Sequence, residues 1–176
     1  MEIFLIRHTQ VDIEKGVCYG QKDVELAQSY AQEFQQVKKQ LDGESFDMVY
    51  SSPLKRCKQL AMDLDLGQVV YDERLKELNF GDWEGKAWDD IADPAFPLWM
   101  DDFVNRKCTN GESFAILNQR VLAFWNELKT TTHTRVAVIT HGGVIRTIQA
   151  LLKGINLEDA FQETPAQFGE VIKVKV

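Results

Sequence analysis

Ile3, Phe4, Leu5 and Ile6 form a short, unbroken apolar run near the start of the chain. A strand with one face in water alternates apolar and polar residues, whereas an unbroken run suits a strand covered on both faces. Such a strand belongs in a parallel sheet with helices above and below it, and no other stretch constrains the fold as strongly. The run stops at Arg7, His8 and Thr9. In open α/β sheets ligands bind beyond the carboxyl ends of the strands, so these side chains are expected at a functional rim. A polar strand end is common by itself. The weight comes from a second run, Arg135 to Thr140, which has the same pattern and stops at His141-Gly142-Gly143. Two of the three histidines therefore occupy equivalent places. His133, in Thr130-Thr131-Thr132-His133-Thr134, reads as part of a solvated loop.

The intervening chain alternates strand and helix patterns. Val11 to Asp23 reads as a loop, with Cys18-Tyr19 between Gly16 and Gly20. Val24 to Leu41 reads as a helix burying Ala27, Tyr30, Ala31, Phe34, Val37 and Leu41, stopped by Gly43. Phe46 to Tyr50 reads as a strand leading into Ser51-Ser52-Pro53. Ser52 suits an N-cap and Pro53 a first helical position, for a helix carrying Arg56 in its first turn. Gln68 to Tyr71 reads as a strand, and Leu75 to Gly85 as irregular. Ala87 to Asn105, broken by Pro94 and Pro97, reads as short helices of a lid or as an aromatic core insertion, which periodicity does not separate. Ser113 to Lys129 and Gly143 to Lys153 are helices, and Val171, Ile172, Val174 and Val176 mark a last strand. The alternation predicts a layered α/β fold. At 176 residues one domain is expected, with an insertion at about 82–112.

Composition narrows the partners. Apolar and charged fractions of 44% and 27% are ordinary for a globular protein. No apolar run approaches the roughly 20 residues of a membrane span, and no basic region precedes Ile3 as in a secretory signal. Cys18, Cys57 and Cys108 are odd in number and make no metal-type pair, so a reducing cytoplasm is the expected location, with no cofactor. The net charge of −7 argues against a nucleic-acid surface. It leaves room for an anionic small substrate, since clustered arginines can reverse the field in a cleft.

Four motifs, in order and spread over almost the whole chain, resemble the histidine phosphatase (phosphoglycerate-mutase-like) superfamily. They are Leu5-Ile6-Arg7-His8-Thr9, Ser51-Ser52-Pro53-Leu54-Lys55-Arg56, Glu77 with Phe80-Gly81-Asp82-Trp83-Glu84-Gly85, and Thr140-His141-Gly142-Gly143. The resemblance implies a three-layer α/β/α fold with a mostly parallel central sheet and a small helical lid insertion. It also implies His8 as nucleophile, Arg7, Arg56 and His141 as phosphate ligands, and Glu77 as proton donor. These residue types suit the chemistry. Guanidinium forks bind phosphate oxygens in pairs. Neutral imidazole attacks phosphorus with one ring nitrogen while the other donates a hydrogen bond. A cationic second imidazole stabilises the equatorial oxygens, and the Gly142 amide at a helix start can add a donor. A protonated Glu77 serves the leaving alkoxide and can then activate water against the phosphohistidine.

The chain departs from the family pattern after the nucleophile. Many members have Gly-Glu there and a phosphate-contacting Asn a few residues later. Here Thr9-Gln10 follow, and Asp12, Ile13 and Glu14 fill the Asn region, so no ligand is assigned there. Thr9 either donates its hydroxyl or supports the loop, and Tyr19 and Gln21 are candidate substrate contacts. Glu84 competes with Glu77 for the acid role, but only Glu77 matches the motif. Arg146 is expected to be an ion-pair partner behind the site. No cysteine receives a catalytic role.

Within the superfamily, the loop Gly16-Val17-Cys18-Tyr19-Gly20-Gln21-Lys22-Asp23 looks most like the alpha-ribazole-5'-phosphate phosphatases of cobalamin biosynthesis. That implies alpha-ribazole 5'-phosphate or adenosylcobalamin 5'-phosphate as substrate. Trp83, Trp88, Trp99, Phe96 and Phe103 would offer flat apolar surface to a benzimidazole wherever they face the cleft. The alternatives are a sugar-phosphate phosphatase or phosphoglycerate mutase, a metal-dependent hydrolase using His8, His141 and Glu77, and a non-catalytic phosphoryl-binding protein. Arg7 beside His8 counts against a metal. The chain's ending just after its last strand favours hydrolysis over the mutase.

Overall fold

The computed structural model describes residues 1–176. Its strands are β1 (Glu2–Arg7), β2 (Met48–Ser51), β3 (Val69–Tyr71), β4 (Arg135–Thr140) and β5 (Val171–Lys175). They form one sheet in the order β3-β2-β4-β1-β5. β1, β4, β2 and β3 pair in parallel, and β5 alone runs antiparallel, on the β1 edge. The two unbroken apolar runs, β1 and β4, are neighbours. Leu5 lies opposite Val138 and Arg7 opposite Thr140, so this register brings Arg7-His8 and His141 together at one carboxyl edge.

Helices cover both faces. Ile3, Leu5, Val136 and Val138 pack in a core with α4 (Phe114–Leu128) and α5 (Gly142–Lys153). Phe4, Ile6, Ala137 and Ile139 pack in a second core with α1 (Tyr30–Gln40) and α2 (Lys55–Leu64). Burial on both faces is why neither strand alternates, and the result is the expected three-layer α/β/α fold. Ser113 caps α4 by accepting a bond from the Ile116 amide, and Gly154 closes α5 in the left-handed conformation. No helix is long and apolar enough to cross a membrane.

Several boundaries differ from expectation, each for a local reason. The helix expected from Val24 begins at Tyr30. Residues before it are held extended by a bridge between Val11 and Leu26 and by an Ala27 amide bond to the Gln10 carbonyl. Of its expected buried face, Val37 and Leu41 are fully buried. The second helix begins at Lys55, because Leu54 is extended. Ser52 is therefore not its N-cap, and its hydroxyl accepts from the Leu54 amide at 3.3 Å. β2 is shifted from 46–50 to Met48–Ser51.

Between β3 and α4 lie 3-10 turns at Gly81–Trp83 and Trp88–Asp90 and the short helix α3 (Ala95–Asp101). Trp83 is fully buried, donates its indole N–H to Asp93 at 2.8 Å, and meets Phe96 and Trp99 edge-on. It is a core residue and offers no face to a ligand. A one-turn helix that periodicity missed, α6 (Ala160–Glu163), precedes β5.

Candidate active site

The carboxyl ends of β1 and β4 and the start of α2 bring His8, His141 and Arg56 into one fully buried cluster. His8 Nδ1 lies 2.7 Å from the Thr9 carbonyl oxygen. A carbonyl only accepts, so Nδ1 carries the proton and the lone pair is on Nε2. That lone pair faces Arg56 Nε at 3.2 Å, and the same Nε lies 3.2 Å from His141 Nδ1. One N–H is thus shared by two imidazoles, each of which must be unprotonated at that nitrogen. His141 Nε2 then donates to Ser52 Oγ at 2.8 Å. Burial, followed by the charges of Arg56 and Arg7, holds the His8 pKa well below the ordinary histidine value. Burial and Arg56 do the same for His141, with His8 and Arg7 adding to the effect. Both rings are neutral near neutral pH.

Arg56 is aimed by the loop after Tyr19, donating to the carbonyls of Gly20 at 2.7 Å and Lys22 at 3.2 Å. Its guanidinium lies 5.2 Å from the Tyr19 ring centre. Burial raises the Tyr19 pKa, with Arg7 and Arg56 opposing. Arg7 donates through Nη1 to the Ala166 carbonyl, and its Nε is buried without a partner. Thr9 Oγ1 is likewise buried and unpartnered. Buried donors are normally satisfied, so each of these two is left able to serve an acceptor. The amino end of α5 packs against Arg7, Arg146 and Glu77. A Cβ on Gly142 would lie 3.4 Å from Arg7 Nε and 2.6 Å from Arg146 Nη1, and one on Gly143 would lie 2.3 Å from Glu77 Oε1. Neither position has room for a side chain.

Glu77 accepts from the Gly143 amide at 3.2 Å through both oxygens, and from the Leu78 amide at 3.0 Å. Its main chain is held from behind by Arg120, which donates to the carbonyls of Arg74, Lys76 and Glu77 at 2.6–2.8 Å. Gln21 reaches the site differently from expectation, because its side-chain amide donates to the Glu77 carbonyl at 2.9 Å. Glu84 is a brace: it accepts from the amides of Gln21, Lys22 and Phe80 at 2.6–3.0 Å. Arg146 departs from expectation as well. It makes no ion pair, its Nε is buried without a partner, and its guanidinium sits 5.1 Å from the Phe161 ring centre. Cys57 Sγ lies 3.5 Å from His141 Nε2, with its thiol pushed up to about 12 by burial.

A cavity of about 310 Å³ is lined by Leu78, which follows Glu77 in the chain, and by Phe80, Trp88, Trp99, Phe103 and Phe161 among others. Three of the five rings considered in the sequence, Trp88, Trp99 and Phe103, face it. Ser52, Arg120, Ala166 and Phe168 were not legible as site residues. Ser52 had a signal in the second motif, whereas Arg120 and the segment around Phe168 had none.

Residues 3–174 match the histidine phosphatase superfamily (branch 1). The chain is 33% identical over 171 residues to a Hydrogenobacter thermophilus protein provisionally named phosphoserine phosphatase 2, covering 89% of this chain and 81% of that one. It is 32% identical over 168 residues to the adenosylcobalamin/alpha-ribazole phosphatase of Escherichia coli, covering 90% and 82%. The crystal structure of the alpha-ribazole phosphatase from Shigella flexneri superposes with a TM-score of 0.92 at 26% identity, covering 100% of this chain and 91% of that one. The match along nearly the full length, on a fold that juxtaposes two histidines and two arginines, shows that this chain belongs to the histidine phosphatase superfamily and is a phosphatase acting on small-molecule phosphate substrates.

Proposed function

We propose that the protein hydrolyses phosphomonoesters through a phosphohistidine on His8, and that its substrate is alpha-ribazole 5'-phosphate or adenosylcobalamin 5'-phosphate. The observation that carries the chemistry is the fixed tautomer of His8, with Nδ1 bonded to the Thr9 carbonyl and Nε2 turned to Arg56. The ester phosphate enters between Arg7 Nε, Thr9 Oγ1 and the amino end of α5, where unpartnered donors await it. Its oxygens draw the Arg56 N–H away from the two imidazoles and free the His8 lone pair. Nε2 attacks phosphorus, the P–N bond forms and the ester P–O bond breaks. A protonated Glu77 gives its proton to the departing alkoxide. Water then gives a proton to the Glu77 carboxylate and attacks phosphorus, the P–N bond breaks, and inorganic phosphate leaves. Arg56 between the imidazoles is a cation where a metal-dependent site would hold its ion, which favours the covalent route.

Two observations support the substrate. The E. coli relative is named for it, and the aromatic cavity lined by Leu78, the residue after Glu77, offers flat apolar walls to a leaving group carrying a heteroaromatic base. We read the segment 82–112, which supplies Trp88, Trp99 and Phe103, as a lid over that leaving group. A second reading, phosphoserine, is favoured by Arg146, whose buried Nε has no partner and is free to take a carboxylate, and by the name of the H. thermophilus relative. Comparing kcat/KM for alpha-ribazole 5'-phosphate, phosphoserine, 3-phosphoglycerate and fructose 2,6-bisphosphate tests the assignment. The ribazole ester should lead, and a higher value for any of the others would overturn the substrate while leaving the chemistry standing.

A further inference from the structure

The segment from Thr164 to Gly169, between α6 and β5, lies against Arg7, which ends β1, and His8, which follows it. The Phe168 ring centre is 3.8 Å from Arg7 Cζ and 5.4 Å from the His8 ring centre. The Ala166 carbonyl accepts from Arg7 Nη1. This strap is tied to the scaffold on either side of the site. Gln149 donates to the Pro165 carbonyl at 2.8 Å, the Gly169 amide to the His8 carbonyl at 3.2 Å, and Gln40 to the Gly169 carbonyl at 2.8 Å. Its position is therefore set by α1, α5 and β1.

A guanidinium can grip an oxyanion by either of two edges, Nη1 with Nη2 or Nε with Nη2. At Arg7 the strap takes one N–H of Nη1. The Nε atom is buried without a partner, and the guanidinium packs against the amino end of α5, where a Gly142 Cβ would stand 3.3 Å from Cζ and 3.4 Å from Nε. We propose that the strap, through the Ala166 carbonyl and the Phe168 ring, holds the Arg7 guanidinium in the orientation in which its Nε is left for phosphate, and that Phe168 is a positioning residue for this reaction. The proposal rests on the reading of Arg7 as a phosphate ligand. A cation over an aromatic face within about 6 Å is held there electrostatically. The ring also keeps water from one face of the guanidinium, which strengthens its pull on a dianion.

The test measures the dissociation constant of inorganic phosphate together with KM and kcat for p-nitrophenyl phosphate. Phe168→Leu should weaken phosphate binding and raise KM by roughly 3- to 30-fold, the range expected of a cation–π contact, with a smaller change in kcat. Phe168→Met, which keeps bulk without a ring, should behave alike and serves if the Leu variant does not fold. Phe168→Tyr should restore wild-type binding. In an Arg7→Ala background Phe168→Leu should change phosphate binding no further. Unchanged binding in both ring-removing variants, or an equal loss with and without Arg7, would overturn the strap's role. Arg7→Ala that binds phosphate like wild type would instead overturn the reading of Arg7 itself.

Discussion

The shared N–H of Arg56 gives two residue-level expectations. His8 and His141 are both held well below the ordinary imidazole value, so between that depressed value and about 6.5 the unfolded chain binds more protons than the folded one. Stability then rises with pH. It should be fully present above about 6.5 and decline as pH falls from there toward the folded-state values. Urea midpoints from pH 8 to pH 5 should show the decline, and His141→Asn should flatten it. An equal slope in that variant would place the effect elsewhere. The second expectation concerns Glu77, whose oxygens lie within reach of the Gly143 amide. Glu77→Gln keeps the shape but cannot supply a proton, so turnover of alkyl phosphates should fall by about 10²–10⁴-fold. The loss on p-nitrophenyl phosphate, with its good leaving group, should be much smaller. Equal losses on both esters would make Glu77 structural.

At the level of elements, the cavity wall from Trp88 to Phe103 makes the substrate reading testable without the whole cofactor precursor. Trp88 stacks on Trp99 at 6.1 Å between ring centres and faces the cavity. Trp88→Leu should raise KM for alpha-ribazole 5'-phosphate by roughly 2- to 12-fold, the size of an aromatic contact, and leave glycerol phosphate unchanged. Parallel changes on both esters would count against base stacking. These elements also show what a sequence discloses. β1 and β4 were legible because burial on both faces erases alternation, and their ends disclosed Arg7, His8 and His141. The late starts of α1 and α2 were not, because pairing between Val11 and Leu26 and the extended Leu54 decide them, and neither is a local propensity. Of the rings, periodicity separated none, and only the fold turned Trp83 inward and Trp88 to the cavity. Arg146 looked like one half of an ion pair because buried arginines usually are, but it makes none, although the Glu77 charge acts on it. Ala166 and Phe168 reach Arg7 across more than 150 residues of chain, through the antiparallel return of β5.

For the whole molecule, the two cores meet at the sheet, and the candidate site lies at the carboxyl edge of its two best-buried strands. Arg7, the proposed nucleophile His8 and His141 are thereby placed by the same register that builds the core, while the cavity proposed for the leaving group belongs to the more irregular chain between β3 and α4. This arrangement separates chemistry from specificity, so the chemistry can be tested on any phosphomonoester the protein turns over. The most direct measurement is to quench turnover of an ester labelled in its phosphate and to look for label on the protein. The protein should carry acid-labile, base-stable label at His8, formed and lost in the presence of chelator. His8→Ala should lose both label and turnover, and His133→Ala should keep both. Label that persists in the His8 variant, or turnover that needs added metal, would contradict a phosphohistidine at His8.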